Sequence, residues 1–152
     1  MKPLPSKEKL IKNFSSCINW EDKYSYIIEL GEKLPSAPKK IYTEKYLISE
    51  CQSQVWVMMK LKKNLNNIKL YGDSDSILVK GLLTIIFIIY EKLTLKEVLK
   101  FKIHQFFQIL SLSKHLTPSR VQGLFFVVQN IKLKTNYFIK NKYTSQKNNI
   151  CI

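Results

Sequence analysis

Glycine is scarce in this chain, and the 4 glycines that occur do not form a phosphate-binding loop. Neither a GxGxxG turn nor a P-loop can be found among them. The predicted elements also lack the alternation of strand, helix and strand that a parallel dinucleotide-binding sheet requires. These absences argue against a nucleotide-binding α/β enzyme.

Cysteine and histidine are too few and too scattered for a metal site or a disulfide framework. The cysteines are Cys17, Cys51 and Cys151, and the histidines are His104 and His115. Structural zinc sites use shorter spacings than any of these. An odd number of distant cysteines predicts reduced thiols. Since no apolar signal segment opens the chain, we expect a reduced, cytoplasmic compartment and neither metal nor cofactor.

Acidic residues are also few. Lys and Arg number 25 against 11 Asp and Glu, the formal net charge is +14, and the last acidic residue is Glu97. The electrostatic field of so large a positive charge attracts polyanions, so a basic nucleic-acid-binding module is one interpretation. A solvated, lysine-rich surface is the other, because Arg120 is the single arginine and base reading prefers arginine. On this second interpretation we expect no nucleic acid as a partner.

No apolar run is long enough to cross a membrane. The most apolar stretch, residues 77–90, is interrupted by Lys80, and it falls short of the roughly 20 residues that a spanning helix needs. We therefore expect no membrane segment and interpret this stretch as a buried helix.

Helix start signals recur along the chain, where a capping side chain precedes residues at helical spacing. The predicted caps are Ser6, Asn19, Asp73 or Ser74, Thr94 and Thr117. Gly31 is the predicted stop of the second helix, and a further helix is expected around residues 106–112. In the last helix, which starts at Pro118, the predicted inward stripe is Val121, Leu124, Phe125, Val128 and Ile131.

Strand signals occur once, between the early and the late helices. Residues 54–61 and 68–71 are rich in strand formers and predict a β-hairpin. Residues 34–50, with Pro35 and Pro38, lack a sustained period and predict a long surface connection. The order favours an α+β fold, a small antiparallel sheet packed with helices, in residues 1–138. Residues 139–152 are predicted to be a basic, disordered tail.

Cys51 differs from the other thiols in its setting. It ends the long connection and precedes Gln52, Ser53 and Gln54, which are polar neighbours able to solvate a thiolate. Cys17 lies on an apolar helical face and is interpreted as a packing residue. The residues alone leave open whether Cys51 is reactive or buried, because unpaired cysteine is commonly buried.

The run from Cys51 to Trp56, Cys-Gln-Ser-Gln-Val-Trp, resembles the active-site signature of the SufE family of cysteine desulfuration proteins. The similarity extends in the same order to residues 7–14, 19–35, 72–82 and 115–123. Separated motifs in the right order are far more specific than any one of them. The resemblance therefore covers the chain except its tail.

The resemblance implies a single α+β domain similar to the IscU-type scaffold fold, a homodimer, and Cys51 as the catalytic cysteine. It implies that Cys51 accepts persulfide sulfur from the cysteine desulfurase SufS and passes it to the SufBCD complex. It also implies that the protein stimulates SufS and has no independent turnover. Pyridoxal phosphate belongs to the desulfurase. The residues expected to support the loop or face the partner are Glu50, Gln52, Ser53, Gln54, Asp75, His115 and Arg120.

One departure from the family pattern lies beside the thiol. The family usually has glycine before the cysteine, whereas this chain has Glu50. We expect a shifted loop and a less readily ionised Cys51, because glutamate restricts the backbone and adds a negative charge. An iron-sulfur scaffold remains an alternative to the carrier, although a scaffold needs several ligands around iron and the motif offers one cysteine.

Overall fold

The computed structural model describes residues 3–49 and 51–141 and has an α+β fold, which confirms the predicted class. Glu50, Cys151 and the predicted tail beyond residue 141 lie outside the described residues. Strands β1 (Val55–Leu61) and β2 (Ile68–Ser74) pair antiparallel. The helices are α1 (Lys7–Ser15), α2 (Trp20–Glu32), α3 (Ile77–Tyr90), α4 (Leu95–Lys100), α5 (Ile103–Ile109) and α6 (Pro118–Lys140).

Side-chain caps set most of the helix starts, as the sequence predicts. The confirmed caps are Ser6, Asn19, Thr94 and Thr117. The prediction of Asp73 or Ser74 as the cap of α3 is wrong. Ser76 instead accepts a hydrogen bond from the backbone N–H of Val79 (3.3 Å), because β2 extends through Ser74.

Helix α3 is the centre of the core, and α2 packs against it at very short range. A Cβ added to Gly81 would lie 2.1 Å from the carbonyl oxygen of Ile27, and one added to Gly31 would lie 2.9 Å from the backbone nitrogen of Gly81. The prediction of Gly31 as a helix stop is therefore wrong. Helix α2 continues to Glu32, and the glycine allows the two helix backbones to touch.

The two faces of the hairpin are both covered. Alternate residues of β1, such as Val57, face the main core, while Met58 packs with Ile41 and Tyr46 in a second cluster. The segment before β1 thus packs onto the outer face of the sheet. The prediction of a surface connection over residues 34–50 is wrong for its buried residues, which include Ile48.

Helix α6 packs across α3, α4 and β1. Its buried residues are Leu124, Val127, Val128, Ile131, Thr135 and Phe138. The predicted inward stripe is partly wrong, since Val121 is 44% and Phe125 54% exposed. The helix is rotated toward Val127 because it must contact β1 as well as α4. This rotation brings the first turns of α6 beside the segment that carries Cys51.

Candidate functional site

Backbone pairing folds the chain back on itself just before β1 and creates the loop that carries Cys51. The N–H of Ile48 donates to the carbonyl of Val55 (2.8 Å), and the N–H of Val57 donates to the carbonyl of Tyr46 (2.9 Å). The N–H of Cys51 then closes a turn onto the carbonyl of Ile48 (3.3 Å). The thiol therefore lies at a tight bend anchored on the edge of β1.

Gln54 and Asp75 fix the base of this loop. The N–H of Gln54 donates to Oδ1 of Asp75 (3.0 Å), and the N–H of Asp75 donates to the carbonyl of Gln54 (3.2 Å). Asp75 follows directly after β2, so the contact ties the end of the loop to the end of the hairpin. Both residues support the loop from its base, away from the lining of the cleft.

Cys51 lies partly buried in a small cleft between the loop and the first turns of α6. Its thiol donates to the carbonyl oxygen of Gly123 (3.6 Å), and the hydroxyl of Ser119 donates to Oε1 of Gln52 (3.4 Å). The cavity has a volume of about 50 Å³. Its polar lining is Gln52, Ser53, Thr117, Ser119 and Arg120, and its apolar lining is Val55, Val79, Leu124 and Val127.

The cleft combines an apolar interior with a polar rim. Of the described residues that line it, Arg120 carries the one formal charge. Arg120 is partly exposed and follows Thr117, which caps α6 by accepting a hydrogen bond from the backbone N–H of Arg120 (3.3 Å). A sulfur species on Cys51 can therefore be held among apolar side chains with a cation nearby.

Cys17 has different surroundings. Its thiol donates to the carbonyl oxygen of Asn13 (3.5 Å). Burial raises the pKa of the Cys17 thiol, and the negative charge of Asp22 raises it further. This thiol stays protonated at neutral pH. The prediction that Cys17 packs from an apolar helical face is wrong, because α1 ends at Ser15 and Cys17 is not among the residues of the hydrophobic clusters.

The structure places the predicted site residues in three groups. The cleft brings together Cys51, Gln52, Ser53 and Arg120, while Gln54 and Asp75 hold the loop base. His115 lies elsewhere, stacked on Trp20 with ring centroids 4.6 Å apart and an interplanar angle of 16°. Glu50 lies outside the described residues.

Ser119, Gly123 and Val127 all contribute to the cleft. The first two lie within the motif at residues 115–123 but were assigned no role, and Val127 was not singled out. One signal was available, because Gly123 is a weak helix former inside a strongly predicted helix. Val127 lines the cleft because α6 is rotated relative to the inward stripe that the sequence predicts. The spacing of apolar residues does not predict this rotation.

The described residues offer neither a metal cluster nor a membrane-spanning helix. Across residues 3–49 and 51–141, no group of three or more His, Cys, Asp or Glu side chains could hold a metal ion. Within the same residues, no helix has both the length and the apolar character that crossing a bilayer demands. The absence of a resident cofactor stays a prediction.

Comparison with known proteins identifies the family. The family model SufE, described as the Fe-S metabolism associated domain, matches residues 8–135. A curated protein from Wigglesworthia glossinidia brevipalpis, named "Cysteine desulfuration protein SufE", is 52% identical over 126 residues, which are 83% of this chain and 87% of that protein.

A solved structure supports the fold alone. It is described as the solution structure of a hypothetical protein from Thermus thermophilus, with a TM-score of 0.72 and 20% sequence identity. The similarity covers 92% of this chain and 99% of that one. Together with the matched family model and the identity to the Wigglesworthia protein, the motif beginning at Cys51 leads to one conclusion: this chain belongs to the SufE family.

Proposed function

We propose that this protein accepts a sulfur atom on Cys51 as a persulfide and carries it from a cysteine desulfurase to the machinery that assembles iron-sulfur clusters. The observation that carries the proposal is the position of the thiol, partly buried beside a cavity of about 50 Å³ between its loop and the first turns of α6. Membership of the SufE family supports the same role in Fe-S metabolism.

The proposed acceptance step is a thiol exchange. The Cys51 thiolate attacks the outer sulfur of the persulfide on the desulfurase, a new S–S bond forms on Cys51, and the donor cysteine leaves as a thiolate. The pyridoxal phosphate that generates the donor persulfide belongs to the desulfurase. A second exchange of the same kind passes the outer sulfur to the next acceptor.

Loop contacts of unequal strength suit a carrier that alternately shelters and presents its sulfur. At the loop tip, the Cys51 thiol donates to the carbonyl of Gly123 and Ser119 donates to Gln52 (3.4 Å), while the backbone contacts at the base measure 3.0 and 3.2 Å. A thiol is a weaker donor than a backbone N–H, and the Ser119 contact is longer than those at the base. The tip can therefore swing out while Gln54 and Asp75 keep the base in place, a motion typical of active-site loops.

The finer features are carried by the resemblance. We propose SufS as the desulfurase that is stimulated, the SufBCD complex as the recipient, and a homodimer as the assembly. A reduced, cytoplasmic compartment rests on the pattern of cysteines and stays a prediction.

Intact-mass measurement tests the proposed function. After incubation with desulfurase and cysteine, we expect the parent protein to gain about 32 Da, the mass of one sulfur, because a persulfide forms on the thiolate. The Cys51→Ser variant should gain nothing. The Cys17→Ser variant is the matched control and should gain the same mass as the parent. A gain that survives Cys51→Ser, or is absent from the parent, contradicts the proposal.

A further inference from the structure

Gly123 occupies a position that costs the helix stability. It lies inside α6, well after the cap at Thr117, where glycine is a poorer helix former than alanine. Its backbone does not require glycine, because none of the described glycines has a positive φ. The reason for glycine must therefore be the space beside it.

The resting packing does not require glycine either. Outside its own helix, a Cβ added to Gly123 would meet two described atoms within 4 Å: Sγ of Cys51 at 3.5 Å and Cβ of Cys51 at 4.0 Å. Both distances are ordinary van der Waals contacts. Alanine would fit the thiol form, and its methyl group would touch nothing except the reactive cysteine.

We propose that Gly123 reserves the space for the outer sulfur of a Cys51 persulfide, so that this small adduct stays sheltered and a bulky one does not. This inference rests on the proposed function and names a residue that decides which adducts can stay inside. The second sulfur lies about 2.05 Å beyond Sγ, so a methyl group at Gly123 would obstruct the directions that point toward α6.

The size of the cavity agrees with an adduct of a few atoms. Its volume is about 50 Å³, whereas one water needs about 10–15 Å³ by the same kind of measure. A single sulfur fits with the loop closed. A glutathione adduct is far too large, so it must hold the loop open.

The first test measures how accessible the outer sulfur is in a chain whose Cys17 and Cys151 are replaced by serine. Inorganic polysulfide loads Cys51: the thiolate attacks a terminal sulfur and a polysulfide shorter by one sulfur leaves. Cyanide then takes the outer sulfur as thiocyanate and returns the thiolate. We expect cyanide to react at least about tenfold faster with loaded Gly123→Ala than with the loaded parent, because the sulfur is displaced from shelter.

The matched control is Gln122→Ala, an exposed neighbour in the same helix, which should react like the parent. Thermal melts of the thiol forms should show Gly123→Ala at least as stable as the parent. Equal cyanide rates in folded parent and Gly123→Ala overturn the proposal. Polysulfide loads Cys51 without a desulfurase, so the cyanide rates do not depend on the proposed function. If the desulfurase fails to load the chain, the proposed function is contradicted, while the comparison of cyanide rates still tests the role of Gly123.

A second test needs no change at Gly123 and applies even if that variant does not fold. Amide hydrogen exchange at Gln52, Ser53 and Gln54 is compared for the thiol, the persulfide and the glutathione adduct of Cys51. We expect the persulfide to match the thiol and the glutathione adduct to exchange at least about tenfold faster, because it opens the loop. Equal acceleration by both adducts overturns the proposal that a persulfide stays sheltered and a bulky adduct does not.

Discussion

Two thiols in the described chain differ in what surrounds them. Burial and Asp22 raise the pKa of Cys17 and keep it protonated. Cys51 has a cavity beside it, a glycine carbonyl within 3.6 Å and Arg120 at the rim. Reactivity follows from these local surroundings rather than from the residue type.

Replacement of Glu50 by glycine is expected to speed sulfur acceptance roughly threefold, because it removes a negative charge beside the nucleophile and frees the backbone. The measurement is the single-turnover rate of transfer from persulfide-loaded desulfurase, quenched and followed by mass. Glu50→Gln is the control that removes the charge and keeps the side chain. A rate unchanged in both variants contradicts this account of Glu50.

Pairs of elements decide where the site forms. Helices α2 and α3 touch through Gly31 and Gly81, which sets the position of α3 under the sheet. The sheet and α6 then meet at Cys51, with the hairpin supplying the loop base and α6 supplying the opposite wall. Each of these contacts joins residues far apart in sequence.

Gly81→Ala is expected to destabilise the fold by about 2–3 kcal/mol, because the added methyl would overlap the backbone of α2 and overpacking is costly. The clash is direct, since the new Cβ would lie 2.1 Å from the carbonyl oxygen of Ile27. Urea unfolding measures the effect. Gly123→Ala is the matched control, as its Cβ meets only ordinary contacts. An unchanged midpoint for Gly81→Ala would show that α2 moves away freely.

The whole molecule is strongly basic, with a formal net charge of +14 and no acidic residue after Glu97. A field of this kind attracts any polyanion and does not distinguish one nucleic-acid sequence from another. Lys69 pairs with Glu91 and Lys80 with Asp73, whereas no acidic residue follows Glu97 to offset the later lysines. The positive charge is therefore greatest in the later part of the chain.

Gel-shift titration separates a basic carrier from a nucleic-acid-binding module. For the carrier we expect weak retention of DNA at low salt that is equal for unrelated sequences and is lost by about 0.2 M salt, because phosphate contacts release counterions. A basic protein of similar net charge and unrelated fold is the control. Tight retention of one sequence at that salt would favour the nucleic-acid alternative.

Much of the local structure could be predicted from residues alone. Ser6, Asn19 and Thr117 cap their helices as expected, because a cap depends on a hydrogen bond to a neighbour three residues away. The motif at Cys51 indicated the family, which the comparisons confirm. Predictions failed where distant packing decided, as at Gly31, which serves the contact with α3 instead of ending α2.

The sequence by itself determined the element types, the basic charge and the family, since these depend on residue types and short spacings. Only the tertiary structure decided that Cys51 contacts Gly123, that a cavity of about 50 Å³ lies beside them, and that His115 stacks on Trp20 and is not part of the cavity lining. The reason is physical: cavities and helix rotations result from packing between elements distant in the chain, which local patterns do not encode.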